Sequence, residues 1–452
     1  MEIKDKKILV VGLAKSGIAV AEVLSELGAH VVVNDIKSYE QLQNSLKPLE
    51  GLKIEYQLGK PTEELVEYVD MIVVSPGVPL DQPFYGKALS LGKEVIGEVE
   101  LAYRLSSSPF IAITGTNGKT TTTTLTYEIF KNAGQDARLA GNIGIPIIRQ
   151  VRSAQPNTVI VAEISSFQLE TAYEFKPRIS AILNITPDHL NRHKTFDNYV
   201  DAKARIFMNQ AEGDYLVLNY DNNVTRELSK RAHCDVVYFS RNTILEKGIY
   251  VKDGYMLENL DGREKVIIPV EDIYIPGKHN LENALAACAI ARLWGISTEY
   301  IADTLRSFKG VEHRIEYVAT IDGVKYYNDS KGTNTDAAIK AIEALNYPLV
   351  LIAGGYDKGE DFTPFIKSFN GKVKALILLG ATAEKIEKCA REQNFNAIYR
   401  VKDMEEAVRK AKELAKEGYA VLLSPACASW DMYDNYEQRG KIFKEVVMSL
   451  GG

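Results

Sequence analysis

Short, wholly apolar runs, each leading through a glycine turn into a helix-period segment, recur along the chain, and few architectures accept that pattern. Ile8–Val11, Val31–Asn34 and Met71–Ser75 read as strands, with Ile18–Leu27 as a helix. A strand apolar on both faces needs cover on both sides. Alternation with helices therefore predicts parallel sheets wrapped by helices. A second block of this kind opens at Phe110–Thr114 and continues through Thr158–Glu163, Ile179–Ile185 and Tyr215–Leu218. Within it, Ile249–Ile268 alternates in short strands with turns at Asp253-Gly254 and Asp261-Gly262, the pattern of a small β patch. Helices Leu281–Trp294 and Thr298–Phe308 close the block. A third block begins near Gly310 with a hairpin at Asp322-Gly323. It returns to strands at Leu349–Ala353, Ala375–Leu379 and Ala420–Leu423. A chain of 452 residues has room for two to four domains. The expectation is an α/β protein of three domains, 1–97, 98–309 and 310–452.

Composition narrows the function classes. With 54 Lys and Arg against 60 Asp and Glu, the net charge is −6, which argues against a nucleic-acid binder. The four cysteines, Cys234, Cys288, Cys389 and Cys427, form no CxxC pair, which fits reduced thiols in a reducing compartment. No run of 18 apolar residues occurs, so no membrane span is expected. The apolar run before Leu13 is broken at once by Lys15, Ser16 and Gly17. It reads as a first strand rather than a signal peptide, and the expected location is cytoplasmic.

Two glycine turns carry chemistry. Strand Phe110–Thr114 runs into Gly115-Thr116-Asn117-Gly118-Lys119-Thr120 and then a helix, a shortened GxxGK[ST] loop with Ile113 where the longer pattern has glycine. Backbone N–H groups and the helix N-terminus favour phosphate there, Lys119 can reach terminal phosphates, and the Thr120 hydroxyl suits Mg²⁺. Glu163 and His189 follow neighbouring strands at the carboxyl edge of the same sheet and suit a metal site. The plainer reading, in which Glu163 closes a loop and His189 begins a helix, is equally open from spacing. At the N-terminus, Gly12, Ala14 and Gly17 with Asp35 resemble a dinucleotide fingerprint. Ala14 in place of the middle glycine argues against NAD(P), and Ser75-Pro76-Gly77-Val78-Pro79 can complete that pocket. The fold expected is therefore a Rossmann-like domain, a central P-loop ATPase-like domain with the β patch, and a C-terminal Rossmann-like domain.

Several longer motifs then resemble one family. Gly115–Thr120, Glu163-Ile164-Ser165-Ser166-Phe167-Gln168, Asn184-Ile185-Thr186-Pro187-Asp188-His189 and His279-Asn280-Leu281-Glu282-Asn283 look like the ATP-dependent Mur ligases, which build the peptidoglycan stem peptide and to which folylpolyglutamate synthases are related. Asp329-Ser330-Lys331-Gly332-Thr333-Asn334 and Ser424–Asp431 narrow the likeness to the member that uses D-glutamate. The resemblance spans all three blocks. It implies that ATP phosphorylates the carboxylate of UDP-N-acetylmuramoyl-L-alanine and that the amine of D-glutamate attacks the acyl phosphate. These small molecules would be its partners, with ATP and two Mg²⁺ ions as cofactors, and the chain would act as a monomer without nucleic acid or membrane.

The resemblance also implies residue roles. Gly115, Thr116, Asn117, Gly118, Lys119, Thr120, Thr121, Asn283, Arg314 and Asp329 would hold ATP. Thr120, Glu163, His189 and a carbamylated Lys203 would hold metal, with Lys119, His189, Lys203 and Lys331 closest to the reaction. Without the resemblance, Lys203 reads as a solvated helix lysine. Ser16, Asp35, Ile36, Lys37, Gly77, Asn142 and Gln168 would meet the UDP-muramoyl substrate. Ile36 and Lys37 depart from the polar residue and arginine expected there. Thr333, Lys358, Ser429 and Tyr436 would grip D-glutamate, with tyrosine at 436 where phenylalanine is commoner. The third domain would swing to complete the ATP site. Competing readings are a sister ligase or folate enzyme, an NAD(P)-dependent oxidoreductase on the Gly12 turn, and a non-catalytic nucleotide-binding module.

Overall fold

A computed structural model describes residues 1–451. The chain divides into two compact units. One is Met1–Asp272 with Glu282–Arg306, and the other is Ile273–Leu281 with Ser307 onward.

The first unit holds two sheets. β1 (Lys7–Val11), β2 (His30–Asp35), β3 (Ile54–Leu58), β4 (Met71–Val74) and β5 (Glu94–Gly97) form a five-stranded sheet in the order β3-β2-β1-β4-β5. Every pairing in it is parallel. Its strands are apolar because helices cover both faces: Ile8 and Val10 face one core, Leu9 and Val11 the other.

The second sheet is larger. It contains β6 (Phe110–Thr114), β7 (Ala137–Gly141), β8 (Val159–Glu163), β9 (Ile179–Ile182), β10 (Tyr215–Asn219), β11 (Asp235–Ser240), β12 (Gly248–Lys252), β13 (Tyr255–Asn259) and β14 (Lys265–Pro269). Their order is β14-β13-β12-β11-β10-β9-β6-β8-β7. The expected β patch is therefore an antiparallel extension of this sheet, because β12 pairs parallel with β11 before the chain turns back into β13 and β14. The strand expected over Ile179–Ile185 ends at Ile182, after which the chain runs over the phosphate loop.

The second unit holds β15 (Glu316–Ile321), β16 (Val324–Asn328), β17 (Leu349–Ala353), β18 (Val373–Leu378), β19 (Ile398–Arg400) and β20 (Ala420–Leu423), ordered β15-β16-β20-β17-β18-β19. Among the strand pairings of the described residues in this sheet, the β15–β16 hairpin alone is antiparallel. The three sheets with their helices give the α/β architecture expected from the alternation.

One buried carboxylate ties the first two sheets together. Glu100 accepts the backbone N–H groups of Tyr173 (2.8 Å), Glu174 (3.0 Å) and Phe175 (3.1 Å), and the Arg104 Nε (2.7 Å). Removing a charge in so complete a cage would leave its donors unsatisfied. The rings of Tyr103, Phe110 and Phe175 meet edge to face beside it.

The Gly12 turn is as tight as its sequence implies. Gly12 has φ +85°, and the Ser75 hydroxyl donates to its carbonyl at 2.6 Å. A Cβ on Gly17 would lie 1.9 Å from the Gly12 carbonyl oxygen. Gly17→Ala is expected to cost about 3 kcal/mol. Denaturant unfolding should show a lower midpoint at an unchanged slope, and an unchanged midpoint would contradict the packing described.

Candidate active site

The second sheet builds the site by register. β6 lies between β8 and β9, with Ile113 opposite Glu163 on one side and Ala181 on the other. The three carboxyl ends therefore open at one edge, where α/β sheets bind ligands. The turn out of β6 uses Gly115 at φ +154° and Gly118 at φ +85°, the latter capping the Lys119–Asn132 helix. A Cβ on Gly118 would sit 2.2 Å from the Asn283 Oδ1, so the loop and the Lys278–Trp294 helix touch through glycine.

The segment after β9 grips this loop. Asn184 accepts the Asn117 N–H at 2.9 Å and donates back to the Asn117 carbonyl at 3.1 Å. The Thr116 hydroxyl accepts the Thr186 N–H at 3.0 Å and lies 3.1 Å from the Tyr199 hydroxyl. Lys119 Nζ curls back onto the Gly115 and Thr116 carbonyls at 2.8 and 2.9 Å. Thr120 and Thr121 are buried in the first helical turn, and the Thr121 hydroxyl has no partner among the described residues.

Beside the loop lies a cluster of buried charge. Glu163, 1% exposed, accepts from Asn142 Nδ2 at 2.8 Å with Oε1, while its buried Oε2 has no partner among the described residues. Lys203, also 1% exposed, donates to the Gly115 carbonyl at 2.8 Å and lies 4.7 Å from the centre of the Tyr199 ring. Burial, and next the charge of Lys119, hold its amine well below the usual lysine range; Asp188 and Glu163 pull the other way. An amine held below its usual range gives up its proton more readily, and an orphaned carboxylate oxygen suits a cation. Glu163, Thr120 and His189 carry oxygen and imidazole atoms of the kinds Mg²⁺ accepts, and a lysine such as Lys203 could ligate a cation only as an anion.

His189 begins the Leu190–His193 turn at φ +53°, its ring 3.6 Å from Asp188 and 4.9 Å from the Phe167 centroid. His193, four residues on, stacks on Phe167 at 5.4 Å and contacts the Ser166 Oγ at 3.0 Å. Sequence reading missed His193 and Tyr199. The spacings His189–His193 and Tyr199–Lys203, each four residues, were the available signals. Gln168 is buried, and its amide oxygen accepts from the Ser165 N–H and hydroxyl at 2.9 and 3.0 Å.

The other expected substrate positions cluster at the carboxyl edge of the first sheet. Asp35 accepts the Leu13 N–H at 2.8 Å and the Lys37 N–H at 3.0 Å, so its carboxylate shapes the turn. Ile36 is exposed, Ser16 lies in the first turn of the Lys15–Glu26 helix, and Gly77 has open space around it.

Arg314, Asp329, Lys331, Thr333, Lys358, Ser429 and Tyr436 lie in the second unit. Asp329 is buried, accepting the Ser424 hydroxyl at 2.7 Å and the Ile315 N–H at 3.2 Å; burial pushes it up to about 6. Arg314 has a buried Nε with no partner among the described residues. Lys331 lies 5.5 Å from the centre of the Tyr436 ring. Sequence reading missed the group that assembles this region. Arg439, 2% exposed, donates to the Ser330 Oγ (3.0 Å) and to the carbonyls of Ser330 (2.9 Å), Cys427 (3.2 Å) and Ala428 (3.2 Å). It thereby joins the Lys331 and Ser429 loops. Lys358 stands apart on an exposed loop beside the Asp357–Lys385 pair.

A glycine phosphate loop flanked by a buried carboxylate and a buried lysine, on a sheet joined to further α/β units, defines an ATP-using class of enzyme. Comparison with known proteins agrees. Residues 6–97 match the "Mur ligase MurD-like, N-terminal domain", 113–291 the "Mur ligase middle domain" and 313–427 the "Mur ligase, glutamate ligase domain". The chain belongs to the Mur ligase family. It is 58% identical over 452 residues to the UDP-N-acetylmuramoylalanine–D-glutamate ligase of Thermoanaerobacter sp. (strain X514), covering 100% of both chains. It is 51% identical to the protein of that name in Clostridioides difficile (strain 630), again over 100% of both. Among solved structures, the UDP-N-acetylmuramate-alanine ligase MurC of Thermotoga maritima superposes with a TM-score of 0.61 at 19% identity, covering 98% of this chain and 100% of the other, a likeness of fold.

Glu98 supports the Asn142 loop from behind. Its Oε1 accepts the Ile148 N–H at 2.8 Å, at the start of the helix that follows that loop, and its Oε2 is buried without a partner among the described residues. Burial pushes it up to about 7 from 4.5, against the pull of the Ile148 and Ile147 N–H groups. A carboxyl raised in the folded state contributes stability that is full below pH 4.5 and lost as pH rises through 7, about 3 kcal/mol in all. Glu98→Gln should flatten the fall of unfolding free energy across that window, measured by denaturant unfolding at a series of pH values. An identical slope would contradict the assignment.

Proposed function

We propose that this chain joins D-glutamate to UDP-N-acetylmuramoyl-L-alanine with ATP, in the cytoplasmic assembly of peptidoglycan precursors. The full-length 58% identity to a relative of that name carries the reading. The carboxylate of the muramoyl-alanine attacks the γ-phosphorus of ATP, ADP leaves, and an acyl phosphate forms. The D-glutamate amine then attacks the carbonyl carbon, phosphate leaves with the C–O bond electrons, and the amine proton passes to a base. A carboxylate is a poor electrophile, and phosphorylation turns one of its oxygens into a leaving group. The protein's task is to position the groups and balance charge.

We assign Gly115–Thr121 and Asn283 to the ATP phosphates and nucleotide, with Lys119 moving from its carbonyl partners to the terminal phosphate. Thr120, Glu163 and His189 would be the protein donors for Mg²⁺, proposed as two ions, which would supply charge neutralisation to the transferring phosphoryl group. Lys203 would enter that set as a carbamate: its amine nitrogen attacks carbon dioxide, the C–N bond forms as one C=O π pair moves onto oxygen, and the proton lost from nitrogen passes to solvent. Asn142, Gln168, Ser16, Asp35, Ile36, Lys37 and Gly77 are assigned to the UDP-muramoyl substrate. Arg314, Asp329 and Lys331 are assigned to nucleotide and reacting groups, and Thr333, Lys358, Ser429 and Tyr436 to D-glutamate. The domain limits 1–97, 98–309 and 310–452 and a monomeric state belong to the same proposal. No helix is long and apolar enough to cross a membrane among the described residues.

Phosphate release from ATP with UDP-N-acetylmuramoyl-L-alanine and Mg²⁺ tests the reaction. It should require D-glutamate, with L-glutamate inert, and Lys119→Ala should lower turnover at least about 100-fold. Equal release with either enantiomer, or an unimpaired variant, would send the substrate or the loop assignment back. Titrating Mg²⁺ in the same assay should show two saturable phases. Lysine carbamylation is checked by ¹³C NMR in labelled bicarbonate. A carbamate resonance is expected that is absent from Lys203→Arg, and its persistence in that variant would remove Lys203 from the metal set.

A further inference from the structure

A cavity of about 710 Å³ opens in the first unit between the Pro79–Asp81 loop, Tyr173 and the outer side of the Phe196–Ala204 helix. Lys119, Glu163, His189 and Lys203 do not line it. Its charged groups are nearly all matched. Arg192 binds Glu170 at 2.5 Å and the Val78 carbonyl at 3.0 Å; Arg231 binds Asp201 at 2.7 Å; Lys194 lies 3.8 Å from Asp81.

Arg205 is the exception. It is half-buried, and its guanidinium carbon lies 5.5 Å from the centre of the Tyr173 ring. Its Nε is buried without a hydrogen-bond partner, and its guanidinium forms no ion pair among the described residues. A half-buried guanidinium with no counter-charge among the described residues can take one from a ligand, and its planar fork matches a planar carboxylate. The same cavity is also lined by the Tyr173 ring, Leu80, Ala202 and Met208, which suit an apolar body rather than a bare hydrated anion.

We propose that this cavity binds a small organic carboxylate, with the carboxylate on Arg205 and the apolar body against Tyr173, Leu80, Ala202 and Met208. The site lies behind the Lys203 helix, and Arg192 connects it to Val78 in the loop after Gly77. An occupant would therefore rest on elements that also carry substrate-site residues.

The test uses the full chain and benzoate as probe, read by saturation-transfer difference NMR. Benzamide is the neutral isostere and inorganic phosphate the bare anion. Saturable benzoate binding with a dissociation constant on the order of millimolar is expected, as is usual for so small a ligand. Benzamide and phosphate should not displace it, and Arg205→Gln should abolish it. Lys119→Ala should leave it intact, which separates this cavity from the phosphate loop. Absence of saturable binding, its survival in Arg205→Gln, its loss in folded Lys119→Ala, or displacement by phosphate at similar concentration would each overturn the proposal. Should Arg205→Gln not fold, Met208→Glu on the exposed rim places a like charge at the mouth and should weaken benzoate at least roughly tenfold. Unchanged affinity in that variant would also overturn it. None of these readouts depends on which reaction the enzyme performs.

Discussion

The pairing of β6 between β8 and β9 is the constraint on which the first unit's site depends. Ile113 opposite Glu163 and Ala181 fixes how far each strand projects. From that register follow the positions of the glycine loop, of the carboxylate beside it and of Asn184, which clasps the loop from the next strand. A slip of one residue would turn Glu163 to the opposite face of the sheet and dissolve the arrangement. The hydrogen bonds from Asn184 and Thr116 shape the loop with the protein's own atoms, which is the sense in which the site is preorganised.

Burial of charge is the second organising fact. Glu163, Lys203 and Asp329 are nearly inaccessible, and none of them has an opposite charge in an ion pair among the described residues, while Glu163 Oε2 has no partner there at all. Such groups weaken a fold, and they concentrate where chemistry needs them. Glu100 makes the contrast. It is just as buried, but three backbone N–H groups and an arginine satisfy it, and it serves as mortar between two sheets.

The alternation of apolar runs with helices made the α/β class legible, because strands covered on both faces have no polar face to show. The phosphate loop was legible from its glycines and its strand–helix setting. Edge strands such as Ile54–Leu58 and Ile398–Arg400 were not, since their residues are half exposed and mix polar with apolar types. The β patch looked separate because antiparallel alternation hides the parallel pairing of β11 with β12. Lys203 could be singled out only through family resemblance: one lysine among several on helices carries no mark of burial. Arg439 was invisible for the same reason, since a helical arginine ordinarily faces water.

That arginine has a further consequence. Four hydrogen bonds from one side chain reach the Ser330 and Cys427–Ala428 segments, which lie about a hundred residues apart in sequence. Mechanically the two loops are one part, riveted at a single point. Length changes that a surface turn elsewhere absorbs cannot be absorbed by one of these loops alone. Drift in either must be answered in the other, so the pair is inherited, and engineered, as a unit.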